Sequence, residues 1–180
     1  PLQQGLAVAL REAETSRIAC VSQETTWVLS ASDLPPWGAV AHRTLQKMLP
    51  GTSVEVAVGS TIPGTFQDGA LAALVVALTR AARSLDVSTA VDVEHVPNLR
   101  NEIVPQLADL IEVETGRPYG PAPLLATFSG ADPAFTLVDT TTLEHLPVET
   151  KARAELKWAV LDPQGGTPRP ASFHRNRKTQ

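Results

Sequence analysis

Residues 54–85 read VEVAVGSTIPGTFQDGALAALVVALTRAARSL. Val54, Val56 and Val58 alternate with Glu55 and Ala57, the period of a half-buried strand. Ser60 to Gly69 contains Pro63, Gly64 and Gly69 and reads as a loop. From Ala70 onward, Leu71, Leu74, Val75, Leu78, Ala82 and Leu85 recur at helical spacing. A strand, a glycine-containing loop and a helix N-terminus form a frame that can hold an anion, because the first helical N–H groups lack partners inside the helix. Gly64 and Gly69 have GxxxxG spacing, but Ala70 and Leu71 stand where a phosphate loop carries Lys and Ser or Thr. Asp68 comes just before the expected helix start. It reads as an N-cap that accepts from the free N–H groups and suits the positive helix end. The other reading is an Asp that carries magnesium or accepts a proton. As a cap, it places negative charge where a phosphate would sit.

Working outward, Leu6–Leu10, Arg17–Gln23 and Thr26–Ser32 read as three closely spaced strands, the pattern of an antiparallel meander. A helix follows from Asp33-Leu34-Pro35-Pro36, with Trp37, Val40, Ala41, Thr44, Leu45 and Met48 on one face and Pro50-Gly51 at its end. Ser84–Asn98 reads as an irregular connection. Asn98–Thr115 reads as a helix in which Pro105 is either a kink or the true start, and Gly116 is its stop. The run YGPAP, Tyr119 to Pro123, reads as incompatible with regular helix. Leu124–Ser129, Phe135–Asp139, Leu143–Val148 and Leu156–Leu161 read as strands. The expected fold class is therefore α+β, a mostly antiparallel sheet with helices packed on one side.

Composition narrows the function. Hydrophobic residues make up 43% and charged residues 19%, as in a globular chain, and the net charge of −4 gives no case for nucleic-acid binding. After Asp162 the chain has no acidic residue but carries Arg169, Arg175, Arg177 and Lys178, a cluster that reads as a solvated helix start. Cys20 is the only cysteine, so an intrachain disulfide and a cysteine metal cluster are excluded. No apolar run reaches spanning length, and a cytoplasmic protein without membrane contact is expected. His42, His95, His145 and His174 are scattered, so no metal site is expected.

Residues 116–144, GRPYGPAPLLATFSGADPAFTLVDTTTLE, resemble a galactokinase, a sugar kinase of the GHMP superfamily. Galactokinases carry here a run like G-x-x-C-G-I-M-D-Q, a hydrophobic stretch, a Gly turn and a strand ending in I-D-x-R-S-L. Gly116, Gly120, Gly130, Leu137, Asp139 and Leu143 fall in register with it. PPWGAVAHRTLQKMLPG resembles the helix after the family's Trp. SVEVAVGSTIP resembles the strand before its phosphate loop, LKWAVLD a later strand, and PASFHRNRK the family's S-x-Y-N-x-R-R helix start. The resemblance implies a GHMP-kinase N-terminal-like domain over residues 1–162. It implies a loop and helix start over 163–180 leading to a second GHMP domain, and a sugar or nucleotide as partner.

The same resemblance locates the departures. The family loop P-x-G-x-G-L-S-S-S-A becomes Pro63 followed by GTFQDGALAA, leaving Gly64, Thr65, Gln67, Asp68 and Gly69 as a degenerate phosphate loop. The Asp that accepts the sugar hydroxyl proton is matched by Pro123, so no catalytic residue is retained there, and Leu124 stands for the following Gln. On the sugar side the resemblance points to Gly120 and to Phe173, which lacks the family tyrosine's hydroxyl. Two functions follow. In the first, the chain is a catalytically impaired, pseudokinase-like relative of carbohydrate-metabolism enzymes, kept as a ligand-binding, regulatory or scaffold module. In the second, it is an active ATP-dependent sugar 1-kinase using magnesium. Glu112 or Asp132 would then serve as base, and Ser60, Thr61 or Thr65 as hydroxyl ligands.

Overall fold

The computed structural model describes residues 5–21, 24–30, 32–62, 67–85, 97–129 and 135–148. Among these residues ten elements follow one another: β1 (Leu6–Glu12), β2 (Arg17–Cys20), β3 (Thr25–Val28), α1 (Pro36–Met48), β4 (Val54–Ser60), α2 (Gln67–Leu85), α3 (Pro97–Thr115), α4 (Ala122–Ser129), β5 (Phe135–Val138) and β6 (His145–Val148). The fold is α+β, with a mixed four-stranded sheet in the order β1–β4–β2–β3 and a separate β5–β6 ribbon.

The first three strands do not form the expected meander. β4 inserts between β1 and β2, antiparallel to the first and parallel to the second, while β2 and β3 pair antiparallel. The physical reason is visible in β4 itself. Val54, Val56 and Val58 are all buried, so this strand belongs at the sheet centre, and burying each valine is worth about 1.5–3 kcal/mol. On the opposite face Glu55 stands in register with Arg11 of β1 and Arg17 of β2. Arg11 Nε donates to the Glu55 carboxylate at 2.7 Å. That pairing carries β1 on to Glu12, two residues past the expected end at Leu10.

Leu6, Val8, Leu10, Ile18, Trp27 and the three valines of β4 make one core with Ala41, Leu45, Leu74, Leu78 and Ala82 of α1 and α2. Trp27 and Trp37 close one end edge-to-face, ring centroids 5.6 Å apart. Helix α1 starts as expected, with Pro36 in its first turn after a Pro35 cap. Beyond its C-cap Leu49, Gly51 takes a φ of 79°, a conformation that costs glycine little. Its buried Thr44 donates to the Val40 carbonyl at 2.8 Å, so no hydroxyl is left unpaired there.

A second core lies on the other side of α2. Leu71, Ala72, Val75 and Val76 meet Val104, Leu107, Ala108 and Ile111 of α3 and Leu124, Leu125 and Phe128 of α4. Arg43 of α1 reaches Glu114 of α3 at 2.9 Å, at the edge of this layer. Helix α3 begins at Pro97, and Pro105 lies inside it, so Pro105 is not its start. Gly116, at φ 64°, stops α3 as expected, with its N–H on the Glu112 carbonyl at 2.9 Å.

The expected strand at Leu124–Ser129 is instead helix α4. Leu124, Ala126 and Phe128 alternate like a strand, but the buried residues are Leu124, Leu125 and Phe128, and Ala126 is exposed. The prolines that read as breakers start the helix. The Pro121 carbonyl accepts the Leu125 N–H at 2.9 Å, and Pro123 sits in the first turn, where its missing N–H costs nothing. The expected strand at Leu156–Leu161 and the tail from Pro163 lie outside the described residues, as does most of the 84–98 connection.

Candidate functional site

Helix α2 begins at Gln67, three residues before the start expected from its apolar face. Asp68 is therefore inside the first turn and not at the N-cap position. Its carboxylate still lies at the positive end of the helix, where negative charge is favoured. The side chain is 64% exposed, and its Oδ1 lies 4.0 Å from the Arg117 guanidinium. An ion pair this open contributes at most about 1 kcal/mol. Gly69 lies in the same turn, and a Cβ there would meet nothing within 4 Å, so packing does not require glycine. Gly64 and Thr65 lie outside the described residues.

The Gly116–Pro123 segment packs beside this turn. Tyr119 is buried, and its hydroxyl donates to the backbone carbonyl of Asp68 at 2.7 Å. Burial, and then the Asp68 carboxylate, push the Tyr119 pKa well up, so the phenol stays a donor throughout the physiological range. From the other side, the Tyr119 N–H donates to the Glu112 carboxylate at 3.2 Å. Glu112 thus bridges the end of α3 to the loop that follows it. Arg80, further along α2, donates to the Phe128 carbonyl at 3.4 Å and ties α2 to α4. Two stretches about fifty positions apart are joined here by hydrogen bonds from both loop and helix.

The residues expected from sequence distribute as follows. Asp68 and Gly69 lie in the first turn of α2, Pro123 lies in the first turn of α4, and Gly120 follows Tyr119, whose hydroxyl links that segment to Asp68. Gly120 is half-buried with open space where a Cβ would stand. The Pro123 carbonyl accepts the Thr127 hydroxyl at 2.7 Å, an interaction within α4. Ser60 ends β4 and Thr61 follows it. Thr61 exchanges hydrogen bonds with Gly5 there: the Gly5 N–H donates to its hydroxyl at 2.9 Å, and the Thr61 N–H donates to the Gly5 carbonyl at 2.9 Å. Asp132 and Phe173 lie outside the described residues. Sequence reading missed Tyr119 and Arg117, which make the contacts with Asp68. Their one signal was a tyrosine, the chain's only one, between two glycines of the quoted segment.

The histidine of α1, His42, is half-buried. Burial and the neighbouring Arg43 lower its pKa, while Glu114 opposes them. Asp139 follows β5 and caps the turn between β5 and β6. Its Oδ1 accepts the N–H groups of Thr141 at 2.8 Å and Thr142 at 3.3 Å. Those bonds favour the carboxylate and lower its pKa. Among the described residues no group of three or more His, Cys, Asp or Glu could hold a metal ion, and no helix is long and apolar enough to cross a membrane. No protein-family model and no curated protein sequence matches the chain.

Proposed function

We propose that the chain is a galactokinase-like domain of the GHMP type that has lost efficient phosphoryl transfer and serves as a ligand-binding, regulatory or scaffold module. The observation that supports this reading is the Tyr119 hydroxyl on the Asp68 carbonyl. It brings the helix after the degenerate phosphate loop against the segment that resembles a sugar site, as a kinase of this type would need. The chemistry at that junction argues against catalysis. Phosphoryl transfer depends on positioning and on neutralising phosphate charge. Here the first turn of α2 carries a carboxylate, and the position of the family's base is a proline inside a helix turn. A missing general base alone costs roughly 10²–10⁴-fold in rate.

The test is an ADP-release assay with ATP, magnesium and galactose, together with calorimetric titration of ATP. The unsubstituted chain is expected to release no ADP above background. Asp68→Ser is expected to raise ATP affinity, since it leaves Arg117 facing the helix end without its carboxylate, yet to leave ADP release at background. Sugar-dependent ADP release by the unsubstituted chain would establish the active sugar 1-kinase instead. An ATP affinity unchanged by Asp68→Ser would remove the role given to that carboxylate.

A further inference from the structure

The four-stranded sheet turns one face to α1 and α2. Val8, Ile18, Trp27 and Val56 lie on that face, so alternation puts their chain neighbours on the other. Strand register arranges this outer face in rows. Arg11, Glu55, Arg17 and Val28 make one row, and Ala9, Ala57, Ala19 and Thr26 make the next. Beyond them Ala7, Gly59 and Val21 line one open hollow of about 470 Å³. Ala7, Ala9, Thr26 and Val28 are exposed, and Val21 is 63% exposed. A Cβ on Gly59 would meet nothing within 4 Å, so the floor of the hollow is open. The charges of the first row do not balance. Arg11 holds the Glu55 carboxylate. Arg17 is exposed and makes no ion pair among the described residues.

These features complement one another. The middle strands β2 and β4 are parallel, with Arg17 beside Glu55 and Ala19 beside Ala57. The same register continued by two residues brings Val21 beside Gly59. A two-fold axis running along the strands, between β2 and β4, lays β2 of one copy over β4 of another and keeps that register. Arg17 then meets Glu55 of the second copy, Ala19 meets Ala57, and Val21 meets Gly59, each twice, as an isologous contact requires. Positive charge falls on negative, small residue on small, and the protruding side chain over the hollow. We propose that this sheet face pairs with the same face of a second copy of the chain. Aligned sheets cross at about 30°. Two residues from Ala19, that crossing shifts a pair by about 3 Å, less than the spacing of about 4.8 Å between strands, so Arg17 and Val21 still reach their partners. Four strands of about five residues present roughly 300 Å² per copy, against about 800 Å² per partner in stable complexes. The dimer is therefore weak, and its exposed charge pairs make it sensitive to salt.

Sedimentation velocity of the full chain, from micromolar to millimolar protein, tests this. The sedimentation coefficient is expected to rise with concentration. Arg17→Glu and Glu55→Lys each set like charges over each other twice, and each is expected to weaken self-association by about tenfold or more. In an equimolar mixture each variant faces opposite charge on the other, so association is expected to return to that of the unsubstituted chain. Gly59→Leu fills the hollow without touching the charges and is expected to weaken association by itself. A chain that stays monomeric throughout overturns the proposal. So does association that Arg17→Glu or Gly59→Leu leaves unchanged, which would give the contact to another surface, such as the exposed Leu137 and Leu146. Weakened association that mixing fails to restore overturns it too, because only the two-fold pairing of these rows predicts recovery.

Discussion

Helix α2 separates two cores built on different rules. On one side, the strands of the mixed sheet present every second residue to α1 and α2, so burial follows a strict two-residue period. On the other side, α3 and α4 meet α2 through apolar residues at mixed helical spacings, and no single period marks them. Among the described residues the hydrogen bonds of the candidate site lie on the helical side: the first turn of α2, Glu112 at the end of α3, and Tyr119 ahead of α4. Function-related geometry here rests on helix ends, where backbone groups are left over, and the sheet supplies the platform.

The largest effects test whether the two cores are one folding unit. Leu78 of the sheet core and Leu107 of the helical core are both fully buried. Replacing either by Ala should cost about 2–5 kcal/mol. Because α2 contributes to both cores, each variant should lower a single urea midpoint, seen equally in the amide signals of Val56 and Ala108. Two separate midpoints would break the molecule at α2. Next in size, Tyr119→Phe removes a part-buried hydrogen bond between the site segments and should cost about 0.5–1.5 kcal/mol by the same urea measurement. An unchanged midpoint would mean that packing alone holds the segments together.

The smallest effect concerns pH. The folded pKa of Asp139 lies below its unfolded value, so its bonds stabilise the turn above the ordinary Asp range near about 3.9. That contribution is lost as pH falls through the depressed value. Exchange at the Thr141 and Thr142 amides should therefore accelerate in acid beyond the trend of other amides. Asp139→Asn keeps an acceptor but should abolish the excess. An identical acid response in both proteins would remove Asp139 as its source.

The sequence was legible where one period dominated. Val54–Val58 and the apolar face of α2 were read correctly in kind, because alternation and helical spacing are unmistakable over seven and nineteen residues. Their order in the sheet was not legible, since pairing of β1 with β4 depends on Arg11, Glu55 and the burial of a strand far along the chain. Helix α4 was misread because Leu124, Ala126 and Phe128 satisfy a strand over so short a span, and Pro123 reads as a breaker until its place in the first turn is known. At the site, Asp68 stood out by charge. The reach of Tyr119 to its carbonyl had no local signature, because the partner is a backbone atom in another element.

Inserting β4 between β1 and β2 also has a consequence for biosynthesis. The Gly5 end of β1 meets a partner 56 positions later, at Thr61. At synthesis rates of about 5–20 residues per second, β1 waits roughly 3–10 s for that partner to be made. The β2–β3 hairpin, by contrast, can form as soon as it is made. During that interval Leu6, Val8 and Leu10 lack their β4 partner, and an unpaired strand edge is a template that other chains can add to.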